Sequence, residues 1–200
     1  MKTNIERFVN FSDAIMAIAV TLMILPLADK AVDATIPTFG SFVDQFAGSL
    51  IIFAVSFWVV CRYWLVHHNA LLKVKTFDSN LFWINVAWLF AIVLVPFTSA
   101  FLGGEGYADS FRVSIYIGSL VLISYVSVAL DWSTKRNAVT LEPGVKARPS
   151  RGSIANAVGF TAALGIELLV PTVGLWAILA LVPINVASTA FAKYRDSRAK

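Results

Sequence analysis

The sequence predicts an all-α integral membrane protein of six transmembrane helices, with the N- and C-termini cytoplasmic. Composition is the first reason. Of the 200 residues 58% are hydrophobic and 14% charged, with a mean hydropathy of +0.75, whereas a soluble domain has about 45–50% apolar and about 25% charged residues. The second reason is where the charges fall. Leu81 to Gly104, Val113 to Leu130 and Leu168 to Ala192 carry none, and a helix needs roughly 20 mostly apolar residues to cross about 30 Å of hydrocarbon. The third is the sidedness of Lys and Arg. With six spans and the N-terminus inside, of the 16 basic residues only Lys30 and Arg112 fall outside, which is the bias that orients membrane proteins. Five or seven spans would put the basic C-terminal segment on the wrong side.

The first span is Phe8–Ala28. Asp13 near its start and Pro26-Leu27-Ala28-Asp29 at its end argue against a signal peptide, which has a small-residue cleavage site. The second, Phe46–His67, holds the single cysteine, Cys61, so neither an intrachain disulfide nor a thiolate metal cluster is available. Leu81–Leu102 and Phe111–Leu130 follow as continuous apolar runs, unlike the alternating strands of an outer-membrane barrel. Gly152–Pro171 and Val173–Ala192 are joined tightly around Pro171 to Gly174, as an antiparallel hairpin. The outer segment Asp29 to Asp44, with Pro37 and Gly40, reads as irregular. The inner stretch Asp131 to Arg151, with Pro143, Gly144 and Pro149, reads as a loop. Residues 1–200 form a single membrane domain without internal duplication. The net charge of +4 needs no nucleic acid, because basic residues facing anionic lipid on the inner side account for it.

In the late spans Ala155, Gly159 and Ala163 recur every four residues, a stripe that lets helices approach closely. The stripe leads to Glu167, which either pairs with Arg112 at the outer end of span four or serves as a proton or cation site. Most tryptophans stand toward span ends or lipid, where tryptophan is enriched. Pro96 and Pro183 are kinks that membrane helices tolerate.

Chemistry-bearing residues gather at the inner ends of spans one and two. Arg7-x-x-x-Phe11-Ser12-Asp13 opens the first, and Trp64 and His67, three apart on one face, close the second. Because the two spans are antiparallel, Asp13 and His67 lie at similar depth. A carboxylate facing an imidazole and an indole N–H satisfies itself, and Arg7 adds a charge-assisted bond. Arg7, Ser12, Asp13, Trp64 and His67 are therefore expected to clamp the two helices. His67 and His68 with Asp13 fall short of a four-ligand zinc site, so no metal is expected. Ser12, Asp13 and His67 have the letters of a catalytic triad, yet adjacent helical residues diverge by about 100°. With no H-E-x-x-H, G-x-S-x-G or phosphate loop, no enzyme is expected.

These residues carry a resemblance. R-x-x-x-F-S-D heading the first span, an Ile/Leu/Thr-rich continuation, six spans and W-x-x-H closing the second resemble the prokaryotic TMEM175-type potassium channels. The layout covers the whole chain; the diagnostic residues lie in the first two spans. The resemblance implies a homotetramer in the cell membrane, the first helix of each subunit lining a central pore, and a modestly selective potassium channel with no cofactor beyond the permeant K+. A single F-S-D implies the four-chain form rather than the two-repeat dimer of animal relatives. The T-V-G-Y-G filter is absent, and the implied constriction is apolar: Ile18, Leu22 and Leu25, at i, i+4 and i+7 on one face, with Ile15 turned to lipid. A ring of four isoleucines would gate by dewetting. By spacing alone the same stripe faces lipid or neighbouring helices. Thr21 either offers its hydroxyl to a partly dehydrated ion or bonds the carbonyl four residues back. A proton- or cation-coupled secondary transporter using Glu167, Asp13 and the histidines as a relay is the alternative, although no inverted repeat or pair of broken helices is visible. A membrane scaffold, which passes no current, is a third reading.

Overall fold

A computed structural model describes residues 5–72, 74, 78–103, 109–136 and 151–170. Its regular elements are α1 (Ile5–Leu22), α2 (Leu25–Asp33), α3 (Phe39–Leu71), α4 (Ser79–Gly103), α5 (Ser110–Arg136) and α6 (Arg151–Leu169). Five stretches are long and apolar enough to cross a membrane: Ile5–Asp33, which joins α1 and α2, then α3, α4, Ser110–Thr134 of α5 and Gly152–Leu169 of α6. They coincide with the first five expected spans. The sixth, Val173–Ala192, lies outside the described residues.

The first span is broken. Pro26 has no N–H to offer the Leu22 carbonyl four residues back. The ladder accordingly loosens just before it: Met23 N–H reaches Val20 O and Ile24 N–H reaches Thr21 O only at 3.4 Å, each three residues back. Helix resumes at Leu25 with Pro26 in its first turn, where the missing N–H costs nothing. Leu25 therefore sits on a different helix from Ile18 and Leu22.

The segment expected to be irregular between Asp29 and Asp44 is helical at both ends. Thr38 Oγ1 accepts from Ser41 N–H at 3.2 Å, and Ser41 Oγ accepts from Thr38 N–H at 3.0 Å. This reciprocal cap starts α3 directly after Pro37, leaving only residues 34–38 outside helix.

The most extensive packing is of α4 on α5 and α5 on α6, with α1 laid across α4 and α3. Met16 and Ala19 of α1, with Met23 just beyond its end, join Trp88, Ile92, Tyr116, Ile117 and Leu120 in one core. Hydroxyl pairs tie the helices where lipid supplies no hydrophobic drive. Ser56 meets Tyr116 at 2.8 Å, Thr98 meets Ser119 at 3.1 Å, and Tyr63 meets Ser124.

On α6 the buried face is Ser153, Ala157, Phe160, Ala163 and Glu167, whereas Ala155 is exposed. The expected stripe advances four residues each time and drifts about 40° per step, while spacings mixing three and four hold one direction. Ser153 Oγ donates to Asp131 at 2.6 Å and Thr161 to Tyr125 at 3.4 Å, which sets the antiparallel register of α5 and α6.

Candidate functional site

Two faces divide α1. Phe8, Val9, Ser12, Met16 and Ala19 are buried, while Phe11, Ala14, Ile18 and Leu22 are exposed. Ile18 is 59% exposed, and Leu22 and Leu25 stand open beside it. Among the described residues this apolar stripe stays largely open. Ile15 does not face outward as expected. It is half-buried at the edge of the buried face and packs on the core. Thr21 donates its hydroxyl to the Ile18 carbonyl at 2.8 Å, leaving its lone pairs free to accept.

At the N-terminal end of α1 the polar residues separate into two sets. Asp13 accepts Trp64 Nε1–H at 2.8 Å, and its Oδ2 lies 3.0 Å from His68 Nδ1. His67, the expected partner, points elsewhere. One residue along a helix is a rotation of about 100°, so Trp64 and His68, four apart, face α1 while His67 turns to α4. There it stacks on Trp88 at 3.8 Å and 14°, and its Nε2 meets Asn85 Oδ1 at 2.6 Å. Trp88 in turn donates Nε1–H to Ser127 at 2.9 Å.

The proton positions in this second set follow from elimination. Ser12 Oγ gives its proton to the Phe8 carbonyl at 3.0 Å, so it accepts from Asn85 Nδ2 at 2.9 Å. Asn85 then presents Oδ1 to the imidazole, and Nε2 of His67 must carry the hydrogen. His67 Nδ1 is left buried without a hydrogen-bond partner. Ser12, Asn85 and His67 are all buried, so three helices meet on one amide.

Arg7 is exposed and forms no ion pair with Asp13. Six residues turn a helix through about 600°, which leaves the two side chains about 120° apart. Arg7 instead shares the outward face with Phe11. Asn85 has no place in the sequence expectations, His68 enters them only as a metal ligand or relay member, and Trp88 only among the tryptophans set at span ends or lipid. Asn85 is an amide in an otherwise uncharged run, and a search keyed to charge passes over it.

Arg112 and Glu167 do not meet. Arg112 donates to the Phe101 carbonyl at 3.0 Å, approaches Asp109 at 3.4 Å, and lies 4.8 Å over the Phe101 ring. Glu167 is fully buried, and neither carboxylate oxygen has a hydrogen-bond partner. The α5–α6 register puts Glu167 level with Gly118, about 9 Å along α5 from Arg112. Effects of Arg112→Ala and Glu167→Gln on thermal unfolding should therefore add, with coupling below about 0.5 kcal/mol. Coupling well above that would mean the two side chains interact.

The fold and the F-S-D cluster define a polytopic α-helical membrane protein whose first span is anchored at one end and, among the described residues, open along one apolar face. Residues 7–96, from Arg7 through Pro96 and so including both polar sets, match the family described as "Endosomal/lysosomal potassium channel TMEM175". The chain is similar to a protein named as a potassium channel from Streptomyces collinus, with 30% identity over 146 residues, 72% of this chain and 70% of that protein. A Chryseobacterium protein, also named as a potassium channel, is 26% identical over 58% of this chain and 57% of its own length. The Rattus norvegicus protein named "Endosomal/lysosomal proton channel TMEM175" is 28% identical over 93 residues, 46% of this chain and 19% of that protein. The chain belongs to the TMEM175 potassium channel family.

Proposed function

We propose that the chain forms a modestly selective potassium channel in the cell membrane, built from four copies around α1, with both termini cytoplasmic and no cofactor. The observation that carries this reading is the uncovered apolar stripe of Ile18, Leu22 and Leu25, beside an F-S-D anchor in a family whose bacterial relatives are named potassium channels. Around a four-fold axis each position becomes a ring. A narrow apolar throat excludes water and passes ions only after partial dehydration, and K+ sheds its water at less cost than Na+. Thr21 lies beside Leu22 with lone pairs free to face such an ion. The break before Pro26 separates the Leu25 ring from the other two, so the constriction has two parts that can be placed independently.

Purified protein in planar bilayers under opposed K+ and Na+ gradients tests this directly. Unitary currents reversing toward the K+ potential are expected. Saturable, coupled flux without unitary steps would instead mean a secondary transporter, and folded protein that passes nothing would mean a scaffold.

A further inference from the structure

A groove of about 410 Å³ runs between α1 and α3. Asp13, Ala17 and Thr21 line it from one helix and Phe57, Cys61 and Trp64 from the other, at spacings of three or four that keep each set on one face. It exists because the two helices present small side chains, Ala17 and Cys61, at its middle. From Asp13 to Thr21 it is about 12 Å long. Its one charged side chain is Asp13, at one end beside Trp64; Thr21 and Phe57 line the other end.

The Asp13 side chain stays 29% exposed despite its bonds to Trp64 and His68. A carboxylate has about four acceptor positions, so it can take a further donor from the groove. A hydrocarbon chain would fill the walls and leave those positions unmet. A compact cation with an apolar body would satisfy both, with the Trp64 ring adding its attraction for positive charge.

We infer that this groove binds a hydrophobic organic cation of the arylalkylammonium class, ammonium group at Asp13 and Trp64, apolar body along Ala17 and Cys61 toward Phe57. Ala17 and Thr21 are neighbours in sequence of Ile18 and Leu22, so an occupant presses on α1 next to the proposed constriction and should alter current. That consequence rests on the channel reading; the binding does not.

Cys61 is the only cysteine in the chain and lines the groove, which makes it a built-in reporter. The full-length protein in lipid vesicles is alkylated with N-ethylmaleimide in the presence of 3-phenylpropylammonium or its uncharged analogue 3-phenylpropanol. The ammonium should protect Cys61 with a half-effective concentration about ten-fold below that of the alcohol, the scale of one charge-assisted hydrogen bond. Asp13→Asn should erase that difference, and Ala17→Phe should abolish protection by both. Equal protection of the wild type by both compounds would overturn the inference in favour of a lipid chain. Alkylation at an unchanged rate would overturn it, because an open groove then holds neither compound, and a Cys61 that never reacts would overturn it in favour of a neighbouring copy covering the groove. These wild-type outcomes decide the matter even if a variant fails to fold. Protection without any current in bilayers would leave the inference standing and remove the channel reading.

Discussion

Asn85→Leu should destabilise the protein by about 2–4 kcal/mol, because it strands a buried imidazole N–H and withdraws the donor to Ser12. Both side chains are out of contact with bulk solvent: Asn85 is fully buried and His67 is 3% exposed. His67 Nδ1 already lacks a partner, so the substitution leaves both ring nitrogens unmet. Thermal unfolding and the fraction of monodisperse protein on size exclusion report the loss. The double variant His67→Leu/Asn85→Leu should recover part of it, since removing both members of a buried pair costs less than removing one. Asn69 supplies the control. Among the described residues it bonds the Leu65 carbonyl on an exposed surface, and Asn69→Leu should stay within about 0.5 kcal/mol of wild type. An Asn85→Leu protein as stable as wild type would mean that the amide does not hold the three helices together.

What the sequence makes legible here is the existence of spans and the neighbourhood of the polar residues. Uncharged runs located the helices because hydrocarbon admits few alternatives. Ends were less readable: α3 begins at Phe39 through the Thr38–Ser41 cap, a local hydrogen-bond pattern that a hydropathy argument does not register. Depth placed Asp13 near the paired histidines, yet the choice between His67 and His68 is a rotation of one residue. It is settled by α3 facing α1 and α4 at once, which requires the third helix to be in place. Arg112 and Glu167 failed as a pair for a related reason. Both belong to the same end of adjacent helices, but the offset of α5 against α6 is set by pairs lower in the interface, Ser153 with Asp131 and Thr161 with Tyr125.

The same distinction between period and rotation bears on the pore. Helical spacing alone treats Ile15 and Ile18 alike, whereas the structure packs Ile15 against the core and leaves Ile18 59% exposed. If four Ile18 side chains meet on an axis, Ile18→Asn puts four amides where water should be excluded. The throat then stays wet and ions cross it less fully dehydrated. The expected result is higher unitary conductance with a K+-to-Na+ permeability ratio falling toward unity, read as a reversal potential moving toward zero under opposed gradients. Leu25→Asn should act more weakly, since Leu25 belongs to α2 beyond the break before Pro26. Ile15→Asn should behave differently again, losing folded protein rather than selectivity, because it pushes an amide against an apolar core at about 1–3 kcal/mol. Val158, 64% exposed on α6, gives the outward-facing control, and Val158→Asn should leave the reversal potential unchanged. Were Ile18→Asn to reverse where wild type does while Val158→Asn shifted, α6 rather than α1 would line the path, and the constriction at Ile18 would have to be abandoned.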